Sequence, residues 1–459
     1  LHLLSRRQRQ MCIRDRPKLI KIKKGLNLRM IGEATGQDPI PSIPLRDFAI
    51  IPDDFCGLSP KLLKKEGDHV TAGEAVFHDK NNPEILVVSP VSGIVSSIIR
   101  GARRKIEALK IEADSQQDHV KFDAEKLADI KAALLESGLW AFFRQRPYGI
   151  VPSPEATPRD IFISTFDSSP LAPSHTLLID NNEERFKKGV EVLSKLTAGT
   201  VYIGCRKENL IETDFSESFI VSGPHPAGNA GTQIASIRPV NKGDVVWTIE
   251  PETVVKIGKL FTDGYVDWSC VVAITGEAVK KPAIVRATEG ICISALLKDN
   301  VNVDKSPRII SGNVLTGTNV GPSGYLRFPF RQVTVIPEII NDCEMLGWAS
   351  LSPKKYSASR TFFSWLAPKT RKYHFDAKIN GGERAIIMAG EYDKVFPMDI
   401  YAEFLIKAII ARDIDKMEQL GIYEVVPEDF ALCEFIDTSK LELQKIVREG
   451  LDYLKKEMN

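Results

Sequence analysis

The sequence is poor in the features that settle function at once. Its 459 residues hold seven cysteines (Cys12, Cys56, Cys205, Cys270, Cys292, Cys343 and Cys433), an odd number without a Cys-x-x-Cys pair. A disulfide framework and a thiolate-rich zinc or iron–sulfur site are thereby disfavoured, which leaves reduced, buried thiols. No stretch reaches the ~18 consecutive apolar residues that cross a bilayer as a helix. Charge of one sign is not in surplus either, since 61 Lys and Arg face 60 Asp and Glu for a formal net of +1. A nearly neutral body lacks the electrostatic footprint of a nucleic-acid binder. No Gly-x-Gly-x-x-Gly follows a strand, and no Gly-x-Ser-x-Gly elbow accompanies any of the seven histidines. The usual fingerprints of dinucleotide binding and of a serine hydrolase are therefore missing. Neither a catalytic residue nor a metal site is expected.

What is present is an ordinary globular composition, 43% hydrophobic and 26% charged, in a chain long enough for roughly three domains of about 150 residues each. Residues 1–16 stand apart. Arg6, Arg7, Arg9, Arg14 and Arg16 face only Asp15, and no apolar core of a signal peptide accompanies them. They are expected to be a cloning scar, a misread start or a sequencing artefact, with a basic targeting arm as the alternative.

Residues 17–115 read as short strands divided by turn chemistry. Gly67-Asp68 and Ala72-Gly73 break β-branched runs, and Pro90-Val91-Ser92-Gly93 makes a corner between two apolar strands. The pattern resembles a biotinyl/lipoyl-like hybrid β-sandwich. Such domains display a modified lysine at a hairpin, and Lys80 sits near that place. Asn81-Asn82-Pro83-Glu84 widens the turn, however, and no Met flanks the lysine, so an ordinary exposed turn lysine is the plainer reading. Arg103-Arg104-Lys105 is read as a solvated basic turn, with docking to an acidic partner or lipid headgroups as its functional alternative.

From 116 to 250 a helical stretch (Ala124, Leu127, Ile130, Leu134, Leu135) leads into strands at Ile161–Ser164, Thr200–Gly204 and Phe219–Val221. A helix lined by Phe186, Val190, Leu193 and Leu196 lies between the first two. Strand–helix–strand with short joins predicts a doubly wound, Rossmann-like parallel sheet. The loop Ser222–Ile234 after the third strand carries three Gly, two Pro and His225, a weak candidate for phosphate. Residues 251–340 read as a β-grasp (SLBB-like) module. Residues 341–459 form a C-terminal domain with a helical end, whose stripes Ile400, Phe404, Leu405, Ala408, Ile409 and Leu443, Ile446, Val447, Leu451, Leu454 are expected to face a core. The fold class is thus α/β multidomain. His69, His78 and His119 are read as surface or satisfied residues, and the paired acids Asp53-Asp54 and Glu428-Asp429 as solvated caps in Pro-containing turns.

Seven segments in order carry a more specific signal: Ile20–Leu26, Pro90–Gly93, Glu136–Trp140, Arg146-Pro147, Gly223–Gly228, Arg308–Gly317 and Ala431–Cys433. From about residue 19 to the end the chain resembles the NqrA family, one of the component chains of the bacterial Na⁺-translocating NADH:quinone reductase. The resemblance implies a respiratory Na⁺ pump that passes electrons from NADH to quinone. It also implies a peripheral chain on the cytoplasmic face of the inner membrane, docked on the membrane-embedded NqrB chain and accompanied by the other components of the complex. NADH, flavins, iron–sulfur and quinone serve the whole complex, and no cofactor is expected on this chain. Where flavin-binding relatives carry Pro-x-Gly-x-Glu-Lys, this sequence has Pro226-Ala227-Gly228-Asn229-Ala230-Gly231. Where they carry a cluster-binding cysteine array, only Cys433 remains. The isolated chain is then not catalytic, and its roles are assembly and quinone reduction. The residues singled out for quinone or partner contact are Phe55, Cys56, His225 and Gly228. The competing reading is a flavin- or NADH-binding redox subunit of an Rnf-like or complex I-like assembly.

Overall fold

The computed structural model describes residues 19–36, 40–44, 46–173, 179, 182–302, 306–339, 354–368, 370–379 and 381–458. The 1–16 stretch lies outside these residues. The chain opens with β1 (Leu19–Lys21), then folds a two-sheet sandwich. One sheet joins β2 (Asp47–Ile50), β4 (His69–Val70), β7 (Gly93–Arg100) and β8 (Ile106–Ala113). The other joins β3 (Pro60–Leu62), β5 (Ala75–Asp79) and β6 (Leu86–Val88). The strands alternate in burial, and Val70, Phe77, Val95, Leu109 and Ile111 fill the space between the sheets. The carboxylate of Asp79 organises the hairpin after β5 by accepting from Ser59 N at 2.8 Å and Asn82 N at 2.9 Å. Lys80 stands exposed beside it.

The α/β unit follows α1 (Ile130–Glu136), which Asp129 caps by accepting from Ala132 N at 3.1 Å. Its sheet among the described residues runs β1-β12-β11-β10-β13-β9, built from β9 (Arg144–Arg146), β10 (Asp160–Ser164), β11 (Val201–Cys205), β12 (Glu217–Ser222) and β13 (Val246–Thr248). All neighbours are parallel except β13 and β9. The near-continuous apolar run of β10 and β11 is what burial on both faces demands. One face is covered by α2 (Glu183–Ser194) and α4 (Pro251–Asp263), and α3 (Ala230–Ile237) contacts β10. The expected parallel core is present, with one difference. β1, read from sequence as the first strand of the sandwich, pairs Ile20 with Val221 at the edge of this second sheet instead.

The β-grasp sheet, ordered β15-β14-β18-β16-β17, comprises β14 (Ser269–Thr275), β15 (Ala283–Thr288), β16 (Pro307–Ser311), β17 (Thr318–Asn319) and β18 (Gln332–Pro337), with α5 (Ile293–Leu296) after the first hairpin. A buried ionic cluster couples it to α4. Arg331 binds Glu252 and, at 2.6 Å, Glu289, which in turn accepts from Lys256 at 2.5 Å. The C-terminal helices are α6 (Tyr392–Val395), α7 (Ala402–Ile410), α8 (Ile414–Gln419), α9 (Ala431–Ile436) and α10 (Leu443–Met458). Leu405, Ile409, Leu443, Val447, Leu451 and Leu454 form their core as expected. Phe404 does not join it, being 52% exposed at the edge of the stripe with its ring 6.0 Å from that of Tyr401. Among the described residues no helix is long and apolar enough to cross a membrane.

Candidate functional site

Parallel strands present their carboxyl ends together, and a crevice opens where adjacent strands lead off in opposite directions. Here β10 continues through α2 to β11 on one side, while β13 lies against its other edge. The crevice after these two strands is a cavity of about 380 Å³. Ser164, Phe166 and Asp167 line one wall, and Thr248, Ile249 and Glu250 the next. Cys56, Phe142, Arg144 and Arg146 bound it on another side; Asn313 and the 328–332 segment come from the β-grasp unit, and Glu428 and Arg448 from the C-terminal unit. All parts of the fold meet at this point.

The four arginines already have partners within the protein. Arg144 donates to Asp54 O at 2.6 Å and lies 4.9 Å over the Phe328 ring. Arg146 donates to Glu424 O at 2.9 Å and pairs with Asp429 at 2.8 Å and Glu428 at 3.2 Å. Arg331 sits in the buried ionic cluster, where burial lowers it to about 10 against the pull of Glu250. Arg448 donates to Tyr148 O at 2.7 Å and pairs with Asp452 at 2.6 Å.

The carboxylates are different. Glu250 is surrounded by protein, yet its side chain faces the open space of the cavity. Burial pushes it up to about 7; the neighbouring charges of Glu428 and Asp167 add to the rise, and Arg331 and Arg144 oppose it. Glu428 also faces the cavity, with 48% of its side chain accessible. It too is raised by burial and by Asp429, against Arg146. At about 7, Glu250 is partly protonated at neutral pH and in that form can donate a hydrogen bond. Part of the wall is aromatic, formed by Phe142 and Phe328, which pack edge to face with ring centroids 4.5 Å apart.

Three of the four residues singled out by sequence line this cavity: Cys56, His225 and Gly228. The fourth, Phe55, lies one layer behind, its ring stacked on Phe328 at 6.0 Å and edge-on to Phe142 at 5.7 Å. Cys56 is half-buried, its sulfur accepting from Arg448 at 3.4 Å. His225 is buried, and burial lowers it to about 4 despite the charge of Asp167. Gly228 N donates to Ser168 Oγ at 2.8 Å, and Ser168 Oγ lies 3.1 Å from His225 Nδ1. With its value lowered to about 4, the imidazole is neutral at neutral pH.

Sequence reasoning missed Arg144 and Glu250 and gave Arg146 and Glu428 no role in a site; of the two acid pairs read as solvated caps, Asp53 and Glu428 are exposed, but Asp54 and Asp429 are not. Asp429 is buried against Arg146, and Asp54 binds Arg327 at 2.6 Å and is raised to about 6, chiefly by burial. Neither is a solvated cap. The available signal for Arg146 was its place before Pro147 in a segment already singled out. His69, by contrast, pairs with Asp114 at 2.7 Å on the surface, and His78 Nδ1 meets Asp79 O at 2.8 Å.

A flavin or dinucleotide at this switch point would need its pyrophosphate against the glycine loop and the start of α3. The close approach at Gly231 is taken by protein, since a Cβ there would lie 2.4 Å from Asp429 Oδ1 and 2.5 Å from an Arg146 nitrogen. A Cβ at Gly228 would lie 2.6 Å from Ser168 N. With those approaches filled and acidic side chains facing the open space, the residues present do not fit a pyrophosphate. Cys433 is buried within the helical core, and no cluster of metal-ligating side chains occurs among the described residues.

The family model described as the NqrA N-terminal barrel-sandwich hybrid domain matches residues 20–114, the NqrA second alpha/beta domain matches 125–266, and the NQRA C-terminal domain matches 271–321. The NqrA chain of the Na(+)-translocating NADH-quinone reductase of Rhodopirellula baltica is 36% identical over 95% of this chain and 98% of its own length. The chain belongs to the NqrA family. The corresponding NqrA chains of Pasteurella multocida and Neisseria meningitidis serogroup B agree, at 36% and 34% identity over 96% of this chain and 100% of theirs. A solved NAD⁺-reducing [NiFe]-hydrogenase is similar to this NqrA-family chain over 40% of its length at 11% identity and a TM-score of 0.31, too low to carry an argument. The cavity described above is therefore a feature of an NqrA fold, assembled from the residues of all three matched domains and of the helices that follow them.

Proposed function

We propose that this chain serves as the NqrA component of a Na⁺-translocating NADH:quinone reductase, as the names of its relatives suggest. In this reading it is the peripheral member on the cytoplasmic face, docked on the membrane-embedded NqrB chain. It holds no flavin, nucleotide or iron–sulfur cluster of its own and contributes to assembly and to the quinone end of electron transfer.

One observation carries the reading: glycines of the loop at the switch-point cavity are packed against protein, and the cavity is lined by an aromatic wall and by raised carboxyls. A quinone ring is apolar, flat and neutral, and its carbonyl oxygens accept hydrogen bonds. Phe142 and Phe328 offer an aromatic wall to pack against, and Glu250 and Glu428 offer donors when protonated. The purified chain is expected to be colourless, with an intact mass equal to its polypeptide, and to be retained by membranes that contain the integral components of the reductase. A stoichiometric flavin spectrum would transfer the assignment to the flavin-binding redox reading instead.

A further inference from the structure

The near-neutral total charge conceals one strongly cationic segment. Between residues 354 and 378 the sequence has seven Lys and Arg against a single acid, Asp376. The same segment shows large apolar side chains to solvent. A single turn at Phe363–Leu366 leaves Phe363 46%, Trp365 53% and Leu366 65% exposed.

This strap is held by its other face. Tyr373 is buried and donates to Ser364 O at 3.0 Å, directly beneath the turn. Tyr356 packs on Tyr373 and Phe375, and Tyr356 and Phe375 approach the C-terminal unit through Phe435. The exposure of Phe363, Trp365 and Leu366 is therefore imposed by a turn whose inner residues are anchored. Around the tip lie Lys355, 5.5 Å over the Phe362 ring, exposed Arg360, and Arg371, 5.7 Å over the Tyr373 ring. Further back, Lys372 pairs with Glu33 at 2.5 Å and His374 Nδ1 lies 2.9 Å from Glu277.

Aromatic and aliphatic side chains at a projecting tip, ringed by cations, match the boundary of an anionic bilayer. There Trp and Phe partition at headgroup depth while Lys and Arg meet phosphates. We infer that the turn Phe363–Leu366 and its flanking cations form a direct contact with anionic phospholipid. An acidic protein surface would account for the cations, but it would not call for three neighbouring apolar side chains at the tip. The inference goes beyond the proposed role in the reductase and does not depend on the quinone cavity.

The test uses the full chain and protein-free vesicles of phosphatidylcholine, with and without phosphatidylglycerol, so a negative result leaves the proposed role in the reductase standing. Partitioning onto anionic vesicles is expected to exceed that onto neutral ones at least tenfold and to fall as salt is raised. The combined substitution Phe363→Ser, Trp365→Ser, Leu366→Ser is expected to reduce it at least tenfold with unchanged circular dichroism. Arg360→Glu is expected to reduce it severalfold. Because all variants share residues 1–16, the arginines there cancel from the comparison. Trp140, Trp247 and Trp268 are buried and Trp348 lies outside the described residues, so in a Trp348→Phe background a blue shift of tryptophan emission on anionic vesicles should appear and should vanish on adding Trp365→Phe. Equal binding of the triple variant and the parent, or no preference for anionic lipid, overturns the inference. So does loss of binding to membranes containing the integral components without loss on vesicles, which would make the turn a protein-docking face.

Discussion

Replacing Arg146 by Met keeps most of its volume and removes its charge. The guanidinium is 3% exposed and holds three groups of the C-terminal unit: Asp429, Glu428 and the Glu424 carbonyl. Asp429 would keep only its bond from Val426 N at 2.9 Å, and it would remain a buried, uncompensated carboxylate. Breaking a buried pair from one side costs about 3–5 kcal/mol. Asp429→Asn should cost less, because Arg146 keeps Glu428 and the Glu424 carbonyl. The double variant should cost far less than the sum, leaving a coupling energy of about 3 kcal/mol in a double-mutant cycle. Urea unfolding followed by far-ultraviolet circular dichroism gives the four stabilities. Limited proteolysis shows whether the C-terminal helices are released first, as expected when the contact between β9 and the turn before α9 is cut. An Arg146→Met penalty below about 1 kcal/mol, or strict additivity, would refute the claim that this pair holds the C-terminal unit at the cavity.

Acidification should act through His225. Its folded value near 4 lies below the ordinary 6.5, so its contribution is present above pH 6.5 and is lost as pH falls toward 4. The size is on the order of 3 kcal/mol, and His225→Asn should flatten that part of the urea-midpoint profile. Glu250 has the opposite sign: raised from 4.5 to about 7, it stabilises the fold below pH 4.5 and loses that contribution as pH rises through 7. Glu250→Gln should therefore gain stability over the parent at pH 8 and match it near pH 4, and a constant difference across that range would count against the assignment. Phe328→Ala removes a ring packed on Phe55, Phe142 and Arg144, and it should cost about 3–5 kcal/mol while weakening quinone binding more than Phe404→Ala does. Lys80 should be unmodified, and a mass increment of a lipoyl or biotinyl group on its peptide would contradict this.

Much of the fold was legible because it rests on local periodicity. The strands around Ile161–Ile163 and Val201–Ile203, the helix between them and the C-terminal stripe of α10 carry their burial pattern in neighbouring residues. β1 was misplaced because a three-residue strand says nothing of its partner, which lies about two hundred positions away at Ile220–Ser222. Phe404 was misjudged because it lies at the margin of a stripe whose width only packing fixes. Of the cavity lining, the His225 loop was visible as a Gly- and Pro-rich stretch after a strand, and Cys56 was singled out only beside the resemblance. Asp429 read as a surface cap because its burial depends on Arg146, 283 residues away, whereas its neighbour Glu428 does stay exposed. Glu250 gave no signal at all, since an acid at a helix N-terminus is ordinary until three other parts of the chain close around it.

The central claim is that the switch-point cavity takes a quinone ring and not a nucleotide. A photoreactive quinone irradiated with the assembled reductase tests this most directly, with labelled peptides of this chain read by mass spectrometry. The label is expected on the segments containing Phe142–Arg146, Ser164–Asp167 or Phe328–Arg331, to be displaced by unlabelled quinone and spared by flavin mononucleotide or NADH. Labelling confined to other parts of the chain or to other components of the complex, or displacement by the nucleotides, would contradict it.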